Sequence, residues 1–449
     1  MKTLLLYAAT AMAVHAQAFT TLVYFNYANG ADPVAPLIQG PDGEVYGTTY
    51  SGGAAADGTF FKISSGGVLT TLYNFSGIDG STPVGGVILG SDGNFYGTTE
   101  GGGPYGYGTI FKVTPSGNLT TLYSFGDASG EYPMAPLVEA SNGDFYGTTS
   151  GGHGTVFKIT PGGTFTNLHG LGGTYEEGTA ALIQAADGNL YGTTVQGGTN
   201  NLGLIFKMTL AGEFTIIHSI SADEGQYPTS ALVQNPNGIF YGTTAGGANN
   251  GGTVFSLTST GEFATLYTFN SSSVGPGGSN PSEIILGIDG NLYGTTRSGG
   301  EFNCSYAYNC GTIFRITPDG ILTTLFNTAV YFGGNPGSLV QATSGLFWGT
   351  SGQAGILPYG SVFTLSVAGL GAFIETVPAS GGVGSDVRIV GTDLTGASAV
   401  DFNGTPAAFT VVSAYEITTS VPIGAASGRV RVLTPTGVLL SNKPFRITR

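Results

Sequence analysis

The tetrapeptide Tyr-Gly-Thr-Thr recurs along this chain, and that recurrence limits what the chain can fold into. It begins at Tyr46, Tyr96, Tyr146, Tyr191, Tyr241 and Tyr293, with a degenerate copy, Trp-Gly-Thr-Ser, at Trp348. The spacings are 50, 50, 45, 50, 52 and 55 residues. A period near fifty, built from short strand-like runs and Gly-rich turns, belongs to propellers and solenoids. With 9% charged residues and 78 Gly, a helical protein is a poor match, and 41% hydrophobic residues exclude a disordered chain. Tyr and Phe together supply 50 residues, and these favour strands.

Each repeat reads as four strands. Strand a is Leu-Thr-Thr-Leu-Tyr-x-Phe, as in Leu69–Phe75. Strand b is a short apolar run such as Ala135–Val138, strand c holds the tetrapeptide, and strand d is Gly-Thr-Ile-Phe-Lys-like, as in Gly108–Lys112. Tight Gly-containing turns join d to a and b to c, the latter through Asp92-Gly93-Asn94 or Asp187-Gly188-Asn189. The a–b connection is longer, so a blade is b-c-d-a. Pro36 and Pro136 fall within strand b, which suits an edge strand, and the residue before its first Leu is mostly small or Pro, which suits crowding round an axis. Glu283 is the exception. The last repeat, residues 335–366, has b, c and d but no a, whereas Phe19–Phe25 is an a strand without a blade. The expectation is that it closes the ring.

After about Gly369 the repeat stops. Val387-Arg388-Ile389-Val390-Gly391-Thr392, Val400-Asp401-Phe402-Asn403-Gly404-Thr405 and Gly428-Arg429-Val430-Arg431-Val432 alternate between Gly/Pro turns and predict a small β-sandwich. At the other end, Lys2, an apolar run from Leu4 to Val14 and Ala16-Gln17-Ala18 form a signal-peptide pattern. The expected organisation is all-β: signal peptide 1–18, a seven-bladed β-propeller of four-stranded blades over 19–366, and a β-sandwich over 367–449. No later segment is long and apolar enough to span a bilayer, and no anchor follows Arg449, so a secreted or surface-associated protein without a transmembrane segment is expected.

Residues 367–449 resemble the IPT/TIG family of immunoglobulin-like domains over nearly their whole length. Residues 19–366 resemble the GloVer-type tandem repeats of exported bacterial proteins. The resemblance implies a bacterial extracellular setting and carries no assigned activity, cofactor or catalytic residue.

Residues 19–366 hold six basic and 22 acidic residues, a net −16, which argues against nucleic acid as partner. Cys304 and Cys310 lie in one loop, and a local disulfide is the expected reading in an exported chain. No nucleophile elbow, zinc helix or phosphate loop occurs, so no catalytic residue, metal or cofactor is assigned. The sevenfold tetrapeptide is read as packing between blades, its Gly admitting a ring or backbone. Lys62, Lys112, Lys158, Lys207 and Arg315 share one strand d position and read as packed stems, while His169 and His218 replace a strand a Tyr.

The a–b and c–d loops fall at one end of every blade and vary, whereas the tight turns fall at the other and do not. Variable loops on a rigid scaffold carry binding. Candidate ligand contacts there are Tyr105, Tyr107, Tyr132, Tyr175, Glu176, Glu224, Tyr227, Tyr306, Tyr308 and Tyr359. The expected function is a non-catalytic binding or adhesion protein for a glycan or an extracellular protein. The alternatives are a polysaccharide-active hydrolase or lyase using acidic loop residues near the axis, and a structural surface or matrix component.

Overall fold

The computed structural model describes residues 17–448 apart from 127–129, 152–153, 172–180, 229, 247–249, 271–274, 301–310, 329–335 and 353–357. All regular structure among the described residues is β. Up to Leu365 the strands form seven four-stranded antiparallel sheets, six of them in the order b-c-d-a. The seventh takes strands Pro336–Gln341, Phe347–Ser351 and Ser361–Leu365 from the last repeat. Its outer strand is Phe19–Tyr24, paired antiparallel to Ser361–Leu365.

In the first, third, fourth and fifth sheets strand b is only two residues long. In the third sheet only Val138–Glu139 pairs with strand c, and Pro133 and Pro136 before it have no N–H to donate to a ladder. Backbones instead approach between sheets: a Cβ at Gly85 would stand 2.7 Å from the Ala135 carbonyl oxygen of the next sheet. The b strands therefore form a shared inner wall.

The tetrapeptide packs each sheet on the next. Tyr46, Tyr96, Tyr191 and Tyr293 are buried, and their rings meet Phe95, Phe145, Phe240 and Phe347 of the following sheet with centroids 4.0–4.4 Å apart. The Gly makes room for a strand d ring. A Cβ at Gly147 would stand 2.5 Å from Phe157, and one at Gly242 2.5 Å from Phe255. The first Thr bonds forward: Thr48 Oγ1 donates to the Pro83 carbonyl at 2.7 Å and Thr243 to that of Ser282 at 2.9 Å. The second Thr meets the opening Thr of strand d, as Thr49 does Thr59 and Thr99 does Thr109, each at 2.9 Å.

A second set of bonds joins the turns. The residue ending strand b accepts a backbone N–H from the preceding sheet's b–c turn. Glu139 accepts from Ser91, Gln184 from Ser141, Gln234 from Ala186 and Gln341 from Ile288, at 2.8–2.9 Å. Gln39 of the first sheet accepts from Thr343 of the seventh at 2.7 Å, so the same kind of bond also joins the last sheet to the first.

From Glu375 onward two four-stranded sheets enclose one core that includes Ile389, Val400, Phe402, Ile417, Val430 and Val432. This unit rests on the b–c turns. A Cβ at Gly43 would stand 2.5 Å from the Tyr415 ring, at Gly93 2.9 Å from Arg388, and at Gly188 2.5 Å from Arg446. The Thr343 and Thr392 hydroxyls lie 2.8 Å apart. Leu89 stands where five other sheets place Gln or Glu at the end of strand b, and it shares an apolar cluster with Val377 and Val390. The uniform-turn end of the repeat body is thereby the covered one.

Candidate functional site

The two ends of the sheets differ in chemistry. At the turn end of the second and fourth sheets the tetrapeptide Tyr and the strand d cation converge on the Asp of the b–c turn. Asp92 accepts from the Tyr96 hydroxyl at 2.9 Å, from Lys112 Nζ at 2.7 Å and from Asn94 Nδ2 at 2.8 Å. Asp187 accepts from Tyr191 at 2.8 Å and pairs with Lys207 at 3.0 Å. Burial pushes the Asp92 carboxyl up, but these bonds outweigh it and hold the group at about 2. Burial, with the Asp92 contact, pushes Tyr96 up to about 12. The Lys stripe is structural, and four of its ammonium groups end on turn carboxylates rather than in water alone, with Lys62 on Glu44 at 2.5 Å.

At the loop end the described carboxylates are Asp32, Asp57, Asp79, Glu100, Glu131, Asp223 and Glu224, and the one basic residue among the described ones is exposed Arg297. Three carboxylates are engaged within their loops, Asp223 by accepting from the Ser221 hydroxyl at 2.7 Å. Asp79 accepts from the Tyr73 hydroxyl and, at 2.9 Å, from the Ser76 N–H. Glu224 lies 2.9 Å from His218 Nε2 and accepts from the Ser221 N–H at 2.9 Å. Burial would raise Glu224, but its bonds to His218 and Ser221 leave it below its ordinary value. His218 also stacks on Phe263 at 4.7 Å and His169 on Phe214 at 4.3 Å, which is the packing role of the Tyr they replace. By contrast, burial raises the carboxyls of Asp32 and Glu100.

The loop tyrosines form pairs across neighbouring sheets. Tyr107, from a c–d loop, meets Tyr132 of the next connection with centroids 5.8 Å apart in an edge-to-face arrangement. Tyr359 meets Tyr27 at 5.5 Å. Tyr105, 67% exposed, lies over Gly126, and Tyr227 is exposed beside Gly246. Tyr175, Glu176, Tyr306, Tyr308 and the Cys304–Cys310 pairing lie outside the described residues. Tyr27, Tyr50 and Asp32 belong to the same loop end and are not among the residues singled out from sequence. Their signal was available: Phe19–Phe25 is an a strand, so residues 26–34 are an a–b connection like the others.

Glu283 is the residue that breaks the small-residue pattern before strand b. It is partly buried in the inner wall, and burial raises its carboxyl, opposed by a hydrogen bond with the Ser338 side chain of the next sheet. Among the described residues no group of three His, Cys, Asp or Glu side chains is placed to hold a metal ion, and no helix is long and apolar enough to cross a membrane.

These features define an all-β repeat protein of propeller-like form, with a constant turn end and a variable, Tyr-bearing loop end. Its sequence matches the model of the Gloeobacter/Verrucomicrobia repeat over residues 8–182 and 177–405, and the chain belongs to that family. No curated protein matches it. Among solved structures it is similar to a candidate 6-phosphogluconolactonase from Bacteroides fragilis, with 15% identity, 85% of this chain and 96% of that one covered, and a TM-score of 0.50. A candidate 6-phosphogluconolactonase from Bacteroides uniformis gives 17% identity, 69% and 89% coverage, and a TM-score of 0.49. An aldose sugar dehydrogenase from Streptomyces coelicolor gives 12% identity, 78% and 98% coverage, and 0.43. At these identities the likeness is one of fold.

Proposed function

We propose that the chain is an exported, non-catalytic glycan-binding protein. In this reading residues 19–366 are a closed seven-bladed β-propeller behind a signal peptide at 1–18, and residues 367–449 are an IPT/TIG immunoglobulin-like domain docked on its turn end. The observation that carries it is the pairing of tyrosines across neighbouring sheets, half-buried Tyr107 with exposed Tyr132 and half-buried Tyr359 with exposed Tyr27, on connections whose backbones are fixed by the sheets. A phenol ring offers an apolar face for a sugar ring and a hydroxyl for its substituents, with little rotamer entropy to lose. Docking of the C-terminal domain on the turns supports the loop end as the face open to a ligand. The test is retention of the secreted protein on immobilised plant and microbial polysaccharides. Retention that Tyr359→Ala and Tyr132→Ala weaken is the expected result, and absence of retention on every polysaccharide sinks the glycan reading.

A second reading, a polysaccharide hydrolase or lyase, is favoured by one observation: burial raises the carboxyls of Asp32 and Glu100, and an upward shift is the direction in which a general acid is tuned. Release of reducing or unsaturated ends that Asp32→Asn or Glu100→Gln abolishes would establish it.

A further inference from the structure

Among the described residues, five connections into the inner wall carry a non-glycine residue at positive φ directly before a proline. They are Asp32 (φ 54°), Thr82 (54°), Tyr132 (57°), Tyr227 (56°) and Asn280 (55°). The backbone round them is constant. The N–H groups of Asp32, Thr82, Tyr132 and Tyr227 donate to the carbonyls of Tyr359, Asp57, Tyr107 and Leu202, in the preceding c–d loops, at 2.9–3.0 Å. Their own carbonyls accept from Tyr50, Glu100, Ser150 and Ala245 at 2.9–3.1 Å. The side chain is what varies: an acid, an alcohol, two phenols and an amide.

An L-residue is strained at such a φ, most of all a β-branched or bulky one, and a following proline restricts it further. Glycine would carry the same backbone without that strain. The chain does use glycine two residues earlier in each of these connections, at Gly30, Gly80, Gly130, Gly225 and Gly278, all with positive φ. There a side chain has no room, since a Cβ at Gly30 would stand 2.6 Å from Thr49 and one at Gly80 2.5 Å from Thr99. Where space is absent the repeat takes Gly; two residues on, at a φ of the same sign, it takes a strained side chain instead.

We infer that these five pre-proline side chains are the specificity-determining ring of the loop face, carried against backbone preference because they touch the ligand. The inference rests on the glycan-binding reading and narrows it to neutral chains of pyranose units. Tyr132 and Tyr227, 37% and 39% exposed, offer ring faces for stacking, while Asp32, Thr82 and Asn280 offer acceptors and donors for sugar hydroxyls. Uronates and sulfated glycans would meet Asp32 with Asp57, Glu100 and Glu131 nearby in the same loops, and are disfavoured.

The experiment places D32G, T82G, Y132G, Y227G and N280G singly in the full chain and measures Tm and retention. The probes are immobilised cellulose, xylan, mannan and starch, with pectate and alginate as anionic comparators. The expected result is a Tm at or above that of the unsubstituted protein, with retention on a neutral polysaccharide weakened about fivefold or more in Y132G and Y227G. A Tm lowered by the glycine substitutions overturns the inference, because the side chains would then serve the fold. Retention unchanged in all five variants overturns it while leaving the glycan reading intact. Preferential retention on pectate or alginate overturns the neutral class. An unsubstituted protein held by none of the polysaccharides overturns the glycan reading, and the ring falls with it.

Discussion

The two ends of the repeat body are built from the same strands yet use side chains in opposite ways. At the turn end, Tyr96, Asp92 and Lys112 repeat as Tyr191, Asp187 and Lys207, and each group finds its partner inside its own repeat. At the loop end, Asp32, Thr82, Tyr132, Tyr227 and Asn280 share one backbone geometry and no common chemistry. Constant side chains with mutual partners are what a scaffold needs. Varied side chains on a constant backbone are what a recognition surface needs. The difference teaches that in a repeat protein the position of function is found where side chains stop repeating and the backbone does not.

This contrast depends on a closed scaffold, so the strongest way to break it is to open that scaffold. Removing residues 19–25 deletes Val23 and Phe25, both buried, together with the stack of Phe19 on Phe326 at 4.1 Å. The two buried side chains alone are worth about 3 to 6 kcal/mol, and Ser361–Leu365 would become an unpaired edge. A large drop in Tm with concentration-dependent aggregation is expected. An unchanged melting curve would show that the seventh sheet does not need its N-terminal strand.

A smaller effect tests the tetrapeptide alone. Gly147→Ala would place a methyl 2.5 Å from the Phe157 ring and 2.8 Å from Leu137. Overpacking of this kind costs about 1–3 kcal/mol, so thermal unfolding should shift down by several degrees with the loop-face chemistry untouched. If Tm holds, the Gly is not there for the ring.

The two ends should also answer acid differently, and one residue type shows it. The folded Asp92 carboxyl sits at about 2 against an ordinary value of 3.8. A depressed folded pKa contributes stability that is fully present above about pH 4 and is lost as pH falls through the folded value near 2. Asp32 is raised by burial, so its ionisation opposes folding and its unfavourable contribution is relieved as pH falls. Asp92→Asn should therefore lower Tm at neutral pH and flatten the acid limb below pH 4, whereas Asp32→Asn should leave Tm at neutral pH equal or higher. Acid titration of Tm for the two variants checks this, and the same response from both would erase the contrast.

What sequence could reveal follows the same division. The period, strand order, phase and orphan first strand were legible because each is written seven times or at a terminus, and hydrophobic alternation with Gly turns has few alternative readings. The Tyr–Asp–Lys convergence was not, because Tyr96, Asp92 and Lys112 lie on two strands and a turn whose facing depends on register. Glu224 looked free because its loop is short and acidic; its bonds to His218 and Ser221 emerge only when the connection folds back. Docking of the C-terminal unit was hidden because Tyr415, Arg388 and Arg446 read as ordinary surface residues of a small sandwich. The pre-proline ring was hidden because φ is not a composition, and Asp, Thr, Tyr and Asn before Pro suggest no common feature until their dihedrals coincide.

The smallest expected effect on stability is the sharpest test of the comparison. Tyr105 is 67% exposed and lies over Gly126, so Tyr105→Ala should change stability by no more than about 0.5 kcal/mol. Tyr96→Phe deletes only one oxygen, but that oxygen donates to Asp92 at 2.9 Å, and losing such a bond to a charged acceptor costs about 1.5–3 kcal/mol. Removing a whole ring at the loop end should thus unsettle the fold less than removing one hydroxyl at the turn end. On polysaccharide supports the order reverses: Tyr105→Ala should weaken retention several-fold and Tyr96→Phe should not change it, because Asp92 and Tyr96 stand at the end covered by the C-terminal domain. If Tyr96→Phe weakens retention as much as Tyr105→Ala at a temperature where both are folded, the two ends are not functionally separate, and the division between scaffold and recognition fails.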